Sequence, residues 1–457
     1  MSTDDDLAGA LLARVHATAY EDIPADVRHA VKRHLLDTLA VGWAASDADA
    51  MQAVRDTLPT GAQGAATLWA SGGRRVDAQS AALANGSLAA ALDFDTVHQD
   101  GGVHADAAVV PAALALAQQH GRSGRALIRA LALGSELVCR LAGAAQEDRG
   151  WFLSSVHGVF GASLAGALLL ELDAQRTRHA LGIAQCNARG SHQSHIERRL
   201  TKRLLTAFAA RDGVLSAQLA AGGVTGPWDF LNGRFGLQAL YGPLDRTRLL
   251  HGFGEDYRLL GTTVKVFPVC LFSAAPLAAA LARVVDGPLA ATDIEAVEVE
   301  LTPHVSWLIG GDFEPGDAPQ VAAQFSVRYG IACVLLRGGL GLADIEAPRV
   351  RDAEVGALAR RIVVRTRDDW TGQFAPATVH VTTRNGHRWS RQIDRVPGGP
   401  EAPLSDAALH AKARQALGHG PAALRDTSID LLIERIDTLD RLDDVAALFD
   451  GLLPAAG

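Results

Sequence analysis

Apolar residues recur every three to four positions over much of the first 266 residues, a spacing that is typical of amphipathic helices. The clearest case is residues 125–145, where leucine, isoleucine and valine form one face. Residues 157–172 carry glycine and alanine on one side, which would let a neighbouring helix approach closely. The same spacing predicts further helices at residues 5–20, 24–46, 78–92, 173–187 and 200–221.

The pattern changes near residue 266. Residues 294–301 (IEAVEVEL) alternate apolar and polar side chains with the period of two that is typical of a strand. Residues 361–364 and 377–383 are also predicted strands, and Arg384–His387 (RNGH) is predicted as a hairpin turn. The sequence therefore predicts a small sheet in this region.

Near residue 402 the pattern becomes helical again, with predicted helices at residues 404–417 and 433–453. The predicted fold class is mainly α. It consists of a large helical domain and a smaller α+β domain, inserted in the first or appended to it. The predicted boundaries are residues 1–266 and 402–457 for the helical domain and 267–401 for the α+β domain.

Composition and charge narrow the class of protein. Alanine, leucine and glycine are abundant and 5% of residues are aromatic, which favours closely packed helices over a sheet sandwich. The net charge of -8 argues against nucleic acid or an anionic membrane as the main partner. The 4 cysteines include no CxxC pair, as expected for reduced thiols in a cytosolic protein. The first residues are acidic, unlike a targeting peptide, and the most apolar long run, residues 156–170, is shorter than a bilayer span. We therefore expect a cytoplasmic protein without membrane segments.

The segment from Ala90 to His120 is the first candidate for a functional site. It is predicted to be a polar loop followed by a helix that begins just past His104, with Asp106 as N-cap and Pro111 in the first turn or so. The loop concentrates ionisable side chains: Asp93, Asp95, His98, Asp100 and His104. Two interpretations remain open, a reactive cluster poised near neutral pH and a solvated loop whose acids cap helices.

Other motifs are weaker. There is no GxxxxGK[ST] phosphate loop and no GxSxG elbow, so nucleotide hydrolysis and serine-esterase chemistry are not indicated. His192 and His195, with Glu197 nearby, could place two nitrogens on one helix face, but a metal would need a third ligand. The other interpretation is a polar surface turn.

Lys202 lies in the first turn of a predicted helix, in a basic cluster with Arg203 and its neighbours. Such a cluster could bind an anionic polycarboxylate, or it could be a solvated basic face. Tyr329, one of 4 tyrosines, follows the sequence QFSVR and could equally be an amphipathic core residue.

Several of these segments, taken in order, resemble the MmgE/PrpD family, which includes 2-methylcitrate dehydratase, cis-aconitate decarboxylase and iminodisuccinate epimerase. The resemblance covers most of the chain. It is carried by ALDFDTVHQDGGVHADAAVVPAALALA at 91–117, HGVFGASLAGALLL at 157–170, LDAQRTRHALGIA at 172–184, LTKRLLTAFAARDGVLSAQLAAGGVTGP at 200–227, LNGRFG from 231, VKVFPVC from 264 and AAQFSVRYGIA from 322.

The resemblance implies a large, discontinuous all-helical domain with the smaller α+β domain as a lid. It also implies that the protein is a homodimer and that the active site lies between the two domains. It also implies roles for residues. His104 would be the general acid/base, oriented by Asp93; Lys202 would neutralise a substrate carboxylate and the enolate charge; Tyr329 would donate a proton or hydrogen bond from the lid. Further residues are expected to bind substrate: Thr96, His98, His157 and Arg203.

Departures from the family pattern lie at the same site. The family's His-Pro-Gly is His104-Ala105-Asp106 here. Three positions where family members carry histidine are Phe152, Leu205 and Ala274. The substitutions leave open an altered or a lost activity.

The resulting prediction is a lyase resembling 2-methylcitrate dehydratase that acts on a small carboxylate by dehydration or decarboxylation, without a cofactor or metal. Proton transfer would occur at the carbon next to a carboxylate. The alternatives are an isomerase or epimerase of the same family, a catalytically inactive ligand-binding member and, last, a metal-dependent hydrolase using His192 and His195.

Overall fold

The computed structural model describes residues 6–59, 63–147, 149–285 and 287–452, which divide into two compact units. The larger unit comprises Met1–Thr262 and Asp406–Gly457, and the smaller one Thr263–Ser405. The two divisions lie a few residues from the predicted boundaries at 266/267 and 401/402. The chain is mainly helical, and the role of the smaller unit as a lid remains a prediction.

The larger unit is built from helices, most of which follow the predicted apolar spacing. Acidic and hydroxyl side chains begin several of them: Asp77 accepts from Ser80 N–H at 3.0 Å and Asp173 from Arg176 N–H at 2.8 Å. The helices are α1 Leu7–Ala17, α2 Ala25–Ala44, α3 Met51–Asp56, α4 Ala78–Ala91, α5 Ala105–Gln119, α6 Gly124–Ala144, α7 Leu153–Val156, α8 Gly158–Leu169, α9 Ala174–Asn187, α10 Gln193–Ile196, α11 Lys202–Ala221, α12 Leu237–Tyr241 and α13 Arg246–Leu250.

Two further helices of this unit come from the end of the chain, and short strands lie between helices. These two helices are α20 Asp406–Leu417 and α21 Asp426–Asp437. The helices numbered between α13 and α20 belong to the smaller unit. The short strands are β1 Ala66–Thr67, β2 Arg75–Val76 and β3 Val97–His98, with β4 Thr262–Thr263 at the division between units.

Small residues let the central helices α4, α5, α6, α8 and α11 pack closely. A Cβ atom on Gly86 of α4 would lie 2.9 Å from Ala207 Cα of α11. One on Gly134 of α6 would lie 2.8 Å from the Gly161 carbonyl oxygen of α8. These distances are too short for a side chain, which explains the alanine- and glycine-rich composition of the buried core.

Two predicted features of the helices are wrong. Asp106 is not the N-cap of α5, because the helix already begins at Ala105 and His104 takes that position. Pro111 is the seventh residue of α5 and therefore lies in its second turn.

The predicted closing helix at 433–453 is also wrong. The helix there, α21, begins earlier and ends at Asp437, and Leu453 lies outside the described residues. Asp444 accepts a hydrogen bond from Ala446 N–H at 2.8 Å, which starts a separate 3₁₀ turn over Val445–Phe449. Residue 5, the first of the predicted helix 5–20, is likewise outside the described part.

The smaller unit contains a four-stranded sheet in the order β6-β5-β7-β8. β5 pairs with β6 in parallel and with β7 antiparallel, and β7 pairs antiparallel with β8 across the predicted RNGH turn. Helices α14 and α17 pack on each other, and α14 packs on the sheet. The elements are α14 Ala274–Arg283, β5 Ile294–Leu301, α15 Pro303–Ile309, α16 Pro319–Gln324, α17 Val327–Arg337, α18 Ala347–Val350, α19 Ala353–Arg361, β6 Val363–Thr366, β7 Ala377–Thr383 and β8 Arg388–Ile393.

Within the described ranges, no helix combines the length and the apolarity that are needed to cross a bilayer.

Candidate active site

The segment between α4 and α5 holds the predicted cluster of ionisable residues, and its acids are mostly buried. Asp93 and Asp95 are 4% and 1% exposed. Asp93 has a φ of 51°, in the left-handed region that aspartate adopts more readily than most residues. The interpretation of this segment as a solvated loop is therefore wrong for these two carboxylates.

His104 is paired with Asp95. Its Nδ1 lies 2.7 Å from Asp95 Oδ2, and its backbone N–H donates to Ser154 Oγ at 3.1 Å. Because a carboxylate accepts at Nδ1, the neutral ring carries its proton there and has an unprotonated Nε2. This orienting role was predicted for Asp93; the acid that binds Nδ1 is instead Asp95, two residues later.

Asp93 forms an ion pair with Lys202, the first residue of α11. Both side chains are largely buried, with 12% of the lysine and 6% of the aspartate side chain exposed. A lysine at a helix N-terminus is disfavoured by the helix dipole, and the Asp93 carboxylate offsets this effect. Lys202 therefore points into the interior rather than forming part of a solvated basic face.

His192 and His195 flank the same region. Their ring centroids are 5.8 Å apart, and His192 contacts the Phe152 ring edge-on at 5.5 Å. Burial, followed by the positive charge of Lys202, lowers the pKa of His195 to about 4. The charges of Asp93, His192 and His104 also act on this ring, so His195 is within electrostatic reach of both pairs.

A buried hydrogen bond connects Thr96 of the loop with Asp106 in the first turn of α5. Thr96 Oγ1 donates to Asp106 Oδ2 at 2.7 Å, and Ser135 Oγ donates to Asp106 Oδ1 at 2.8 Å. His34 Nδ1 lies 3.3 Å from Asp106 Oδ2. The Thr96 hydroxyl thus has a structural contact, and its expected contact with substrate remains a prediction.

The other predicted binding residues are also buried. Burial lowers the pKa of His98, and it lowers the pKa of His157 to about 4. Neither ring nitrogen of His157 has a hydrogen-bond partner among the described residues. Arg203 is 3% exposed and its Nη1 donates to the Asp49 carbonyl at 3.2 Å.

Tyr329 belongs to the smaller unit, on α17. It is fully buried, its hydroxyl donates to the Asp344 carbonyl, and its ring centroid lies 5.0 Å from that of Phe313. Burial raises the pKa of the phenol. Its proposed role as a donor to substrate remains a prediction.

The positions where the resemblance leads us to expect histidine are buried apolar residues. Phe152 is 5%, Leu205 9% and Ala274 4% exposed. A metal site at His192, His195 and Glu197 gains no support from geometry. Within residues 6–59, 63–147, 149–285 and 287–452, the group whose ligand atoms come within 4.8 Å of one another is Glu298, Glu300 and His380.

One supporting contact was not predicted at all. Lys412 of α20 donates to the Phe94 carbonyl at 3.1 Å, and its Nζ lies 3.8 Å from the centre of the Phe94 ring. The same Nζ lies 2.6 Å from Asp37 Oδ1. Phe94 stands between the two paired acids, so α20 supports the loop directly. A separation of 318 residues leaves no local sequence signal for this contact.

The fold and the site define a mainly helical protein of two units with a buried carboxylate–imidazole pair and a buried carboxylate–ammonium pair on one loop. The MmgE/PrpD N-terminal domain matches residues 10–248, and the MmgE/PrpD C-terminal domain matches residues 267–437. The chain belongs to the MmgE/PrpD family.

Three relatives with similar sequences are named as cis-aconitate decarboxylases or as a protein like them. The cis-aconitate decarboxylase of Aspergillus terreus is 24% identical over 483 residues, covering 94% of this chain and 93% of the relative. That of Aspergillus terreus strain NIH 2624 is 25% identical over 466 residues, with the same coverage. The cis-aconitate decarboxylase-like protein oryM of Aspergillus oryzae is 34% identical over 220 residues, and the match spans about half of either chain, 45% of each.

Proposed function

We propose that this chain is a lyase that acts on a small di- or tricarboxylate by proton transfer at the carbon next to a carboxylate, without a coenzyme or metal. The observation that carries the proposal is the pair of buried contacts on one loop, Asp95 with His104 and Asp93 with Lys202. Such a carbon-bound proton is weakly acidic, so its transfer requires a positioned base and a cation near the developing negative charge. The two contacts supply one group of each kind.

His104 is the proposed proton-transfer group, held by Asp95 in the tautomer with a free lone pair on Nε2. Lys202 binds a substrate carboxylate and stabilises the enolate charge that forms beside it. Tyr329 remains a proposed donor from the smaller unit, and Thr96, His98, His157 and Arg203 remain proposed binding residues. We further propose a cytoplasmic homodimer.

Decarboxylation of cis-aconitate or a similar unsaturated tricarboxylate is the first candidate, because two relatives that match 94% of the chain carry that name. In this reaction a carbon–carboxylate bond breaks, carbon dioxide leaves, and the electron pair remains on the carbon skeleton. His104 in its protonated form then donates a proton to carbon. In dehydration or epimerisation of a saturated acid, neutral His104 would first remove that proton instead.

A catalytically inactive ligand-binding protein is the second candidate. The apolar residues Phe152 and Leu205 favour it, since each stands where the resemblance leads us to expect an imidazole.

The test is to incubate the purified chain in deuterated water with cis-aconitate, 2-methylcitrate and related polycarboxylates. Carbon dioxide release and deuterium at carbon are followed by NMR. The lyase proposal expects product from at least one acid, and a decarboxylation product should carry one deuterium at the carbon that gains the proton. Binding without product or exchange for every acid would favour the inactive protein.

Variants connect the activity to the site. His104→Ala should lower turnover by about 10²–10⁴-fold, the usual contribution of a general acid or base. Lys202→Met should both weaken substrate binding and slow turnover. His120→Ala, at the exposed far end of α5, is the matched control and should behave as the unaltered chain. Full activity of His104→Ala would rule the mechanism out.

A further inference from the structure

Backbone hydrogen bonds hold the segment before α10 next to the segment that carries Phe152. Phe152 N–H donates to the Gly190 carbonyl at 3.1 Å, and His192 N–H donates to the Gly150 carbonyl at 2.9 Å. The His192 ring rests edge-on against Phe152. These contacts with residues 150–152 therefore fix the position of the 190–195 segment, in addition to its closeness to Lys202 along the chain.

The same neighbouring segment is bonded to His104, because Ser154 accepts from the His104 backbone N–H. His195 lies one turn past His192, with the two ring centroids 5.8 Å apart. Both ring nitrogens of His195 are shielded from solvent. His195 is thus a partly buried imidazole whose ring nitrogens are shielded from solvent and which is within electrostatic reach of both His104 and Lys202.

The two pairs leave little positive charge for a polyanion. Asp93 neutralises Lys202 and Asp95 faces His104, so the four groups together carry no net positive charge even with His104 protonated. Arg203, whose Nη1 donates to the Asp49 carbonyl, adds one positive charge, and Arg198 and Arg199 are exposed. A tricarboxylate brings about three negative charges at neutral pH, and burying them without a compensating cation is unfavourable.

We infer that His195 binds a carboxylate of the substrate and takes up a proton when that ligand enters. The inference rests on the proposed function and deepens it, since it names the residue that lets the site accept a tricarboxylate. The bound imidazolium donates a charge-assisted hydrogen bond to the ligand.

The groups that face His195 account for its charge in each state. Without ligand, burial and Lys202 outweigh the opposing effect of Asp93, so the ring is neutral at pH 7; His192 and His104 act in the same direction as Lys202. A ligand carboxylate beside the ring adds negative charge and favours the protonated form. Binding is then linked to proton uptake and weakens as pH rises.

Titration calorimetry with tricarballylate, a saturated tricarboxylate, tests the inference. Binding enthalpies at pH 7 are measured in buffers of different ionisation enthalpy, and their slope gives the protons exchanged. We expect the unaltered chain to take up close to one proton per ligand, and His195→Gln to take up almost none. The affinity of His195→Gln should be about ten-fold weaker at pH 6.5, the loss of one charge-assisted hydrogen bond.

Two further variants separate the sources of the proton. His104→Gln should retain the uptake, because His104 is not the group that gains the proton, and His120→Gln should match the unaltered chain. Uptake and affinity that are unchanged in His195→Gln would overturn the inference while leaving the lyase proposal intact. Binding through His195 without turnover of any polycarboxylate would instead exclude the lyase and retain the binding residue. If tricarballylate does not bind at all, the inference is overturned, while the lyase proposal is still decided by the turnover of the polycarboxylates in deuterated water.

Discussion

At the scale of single residues, the two buried acids of the loop have different partners. Asp93 and Asp95 are two positions apart, yet one binds the ammonium of Lys202 and the other the imidazole of His104. The left-handed conformation of Asp93 turns the chain between them. Because each carboxylate has its own partner, replacing one should alter binding and chemistry differently from replacing the other.

Asp95→Asn is expected to lower kcat by about 10²–10⁴-fold, because an amide no longer fixes the His104 tautomer that proton transfer requires. KM should change much less, since Asp95 faces the imidazole. Steady-state kinetics on the best substrate would measure both. Asp100→Asn is the matched control, an exposed acid of the same loop whose partner is Arg248. Equal kcat values for Asp95→Asn and the unaltered chain would contradict this role.

The sequence predicted which residues lie in the candidate site better than it predicted which of them contact each other. Five ionisable residues within a dozen positions identified the loop, and the resemblance identified Lys202. The sequence could not assign His104 to Asp95 rather than to Asp93, since that depends on the three-dimensional course of the loop, in which Asp93 has a left-handed φ angle. It also gave no weight to His195 as a neighbour of Lys202, because the packing of residues 190–195 against 150–154 is a tertiary contact.

At the scale of elements, the packing of α4 on α11 sets the distance between the loop and Lys202. Asp93 follows α4 directly, Lys202 begins α11, and Gly86 lets the two helices approach. Gly86→Ala should lower the free energy of unfolding by about 1–3 kcal/mol, the usual effect of overpacking. It should also lower kcat, because it pushes Lys202 away from Asp93.

Urea unfolding and steady-state kinetics on Gly86→Ala would measure both effects. Gly222→Ala is the control: it lies just past the end of α11, where an added Cβ has its nearest neighbours at 3.5 Å. A Gly86→Ala chain as stable and as active as Gly222→Ala would mean that this close approach is not needed.

The N-terminus of α8 contributes a pH-dependent stability. Burial lowers the pKa of His157 from 6.5 to about 4 in the folded chain. Between these pH values the unfolded chain binds more protons than the folded one, so stability is lost as pH falls from 6.5 towards 4. The full loss from this residue is about 3 kcal/mol.

His157→Leu should therefore show a shallower decrease of unfolding free energy between pH 7 and pH 4 than the unaltered chain. Urea titrations at several pH values would measure it. His387→Gln, at the exposed hairpin turn, should keep the original pH dependence. Parallel pH profiles for His157→Leu and the unaltered chain would contradict the buried neutral state.

Elements with strong local signals were predicted most closely. The alternation in β5 and the Asn-Gly turn between β7 and β8 depend on neighbouring residues, and both are confirmed. The closing helix was wrong because leucines at 439 and 442 continue the three-residue spacing of Ile433 and Ile436, while Asp444 favours a separate turn. Apolar spacing alone does not decide between these two outcomes.

At the scale of the whole molecule, Lys412 connects the last part of the chain to the loop. Its ammonium is buried between Asp37 and Phe94. Lys412→Met should reduce the free energy of unfolding by about 3–5 kcal/mol, because it leaves the buried Asp37 carboxylate without its partner. Thermal and urea unfolding would measure the loss.

The double variant Asp37→Leu with Lys412→Met is the matched comparison. It removes both charges, so it should regain most of the stability lost in Lys412→Met. If the double variant is no more stable than Lys412→Met alone, the lost stability does not arise from the unpaired Asp37.

The support from Lys412 also sets an order of events during protein synthesis. The ribosome makes Phe94 318 residues before Lys412, so the nascent chain carries His104, Lys202 and Tyr329 long before the ammonium that supports the loop exists. Domains generally fold as units while translation proceeds. A polypeptide released before residue 412 would therefore contain each proposed catalytic group and still lack the contact that holds Phe94 between the two acids.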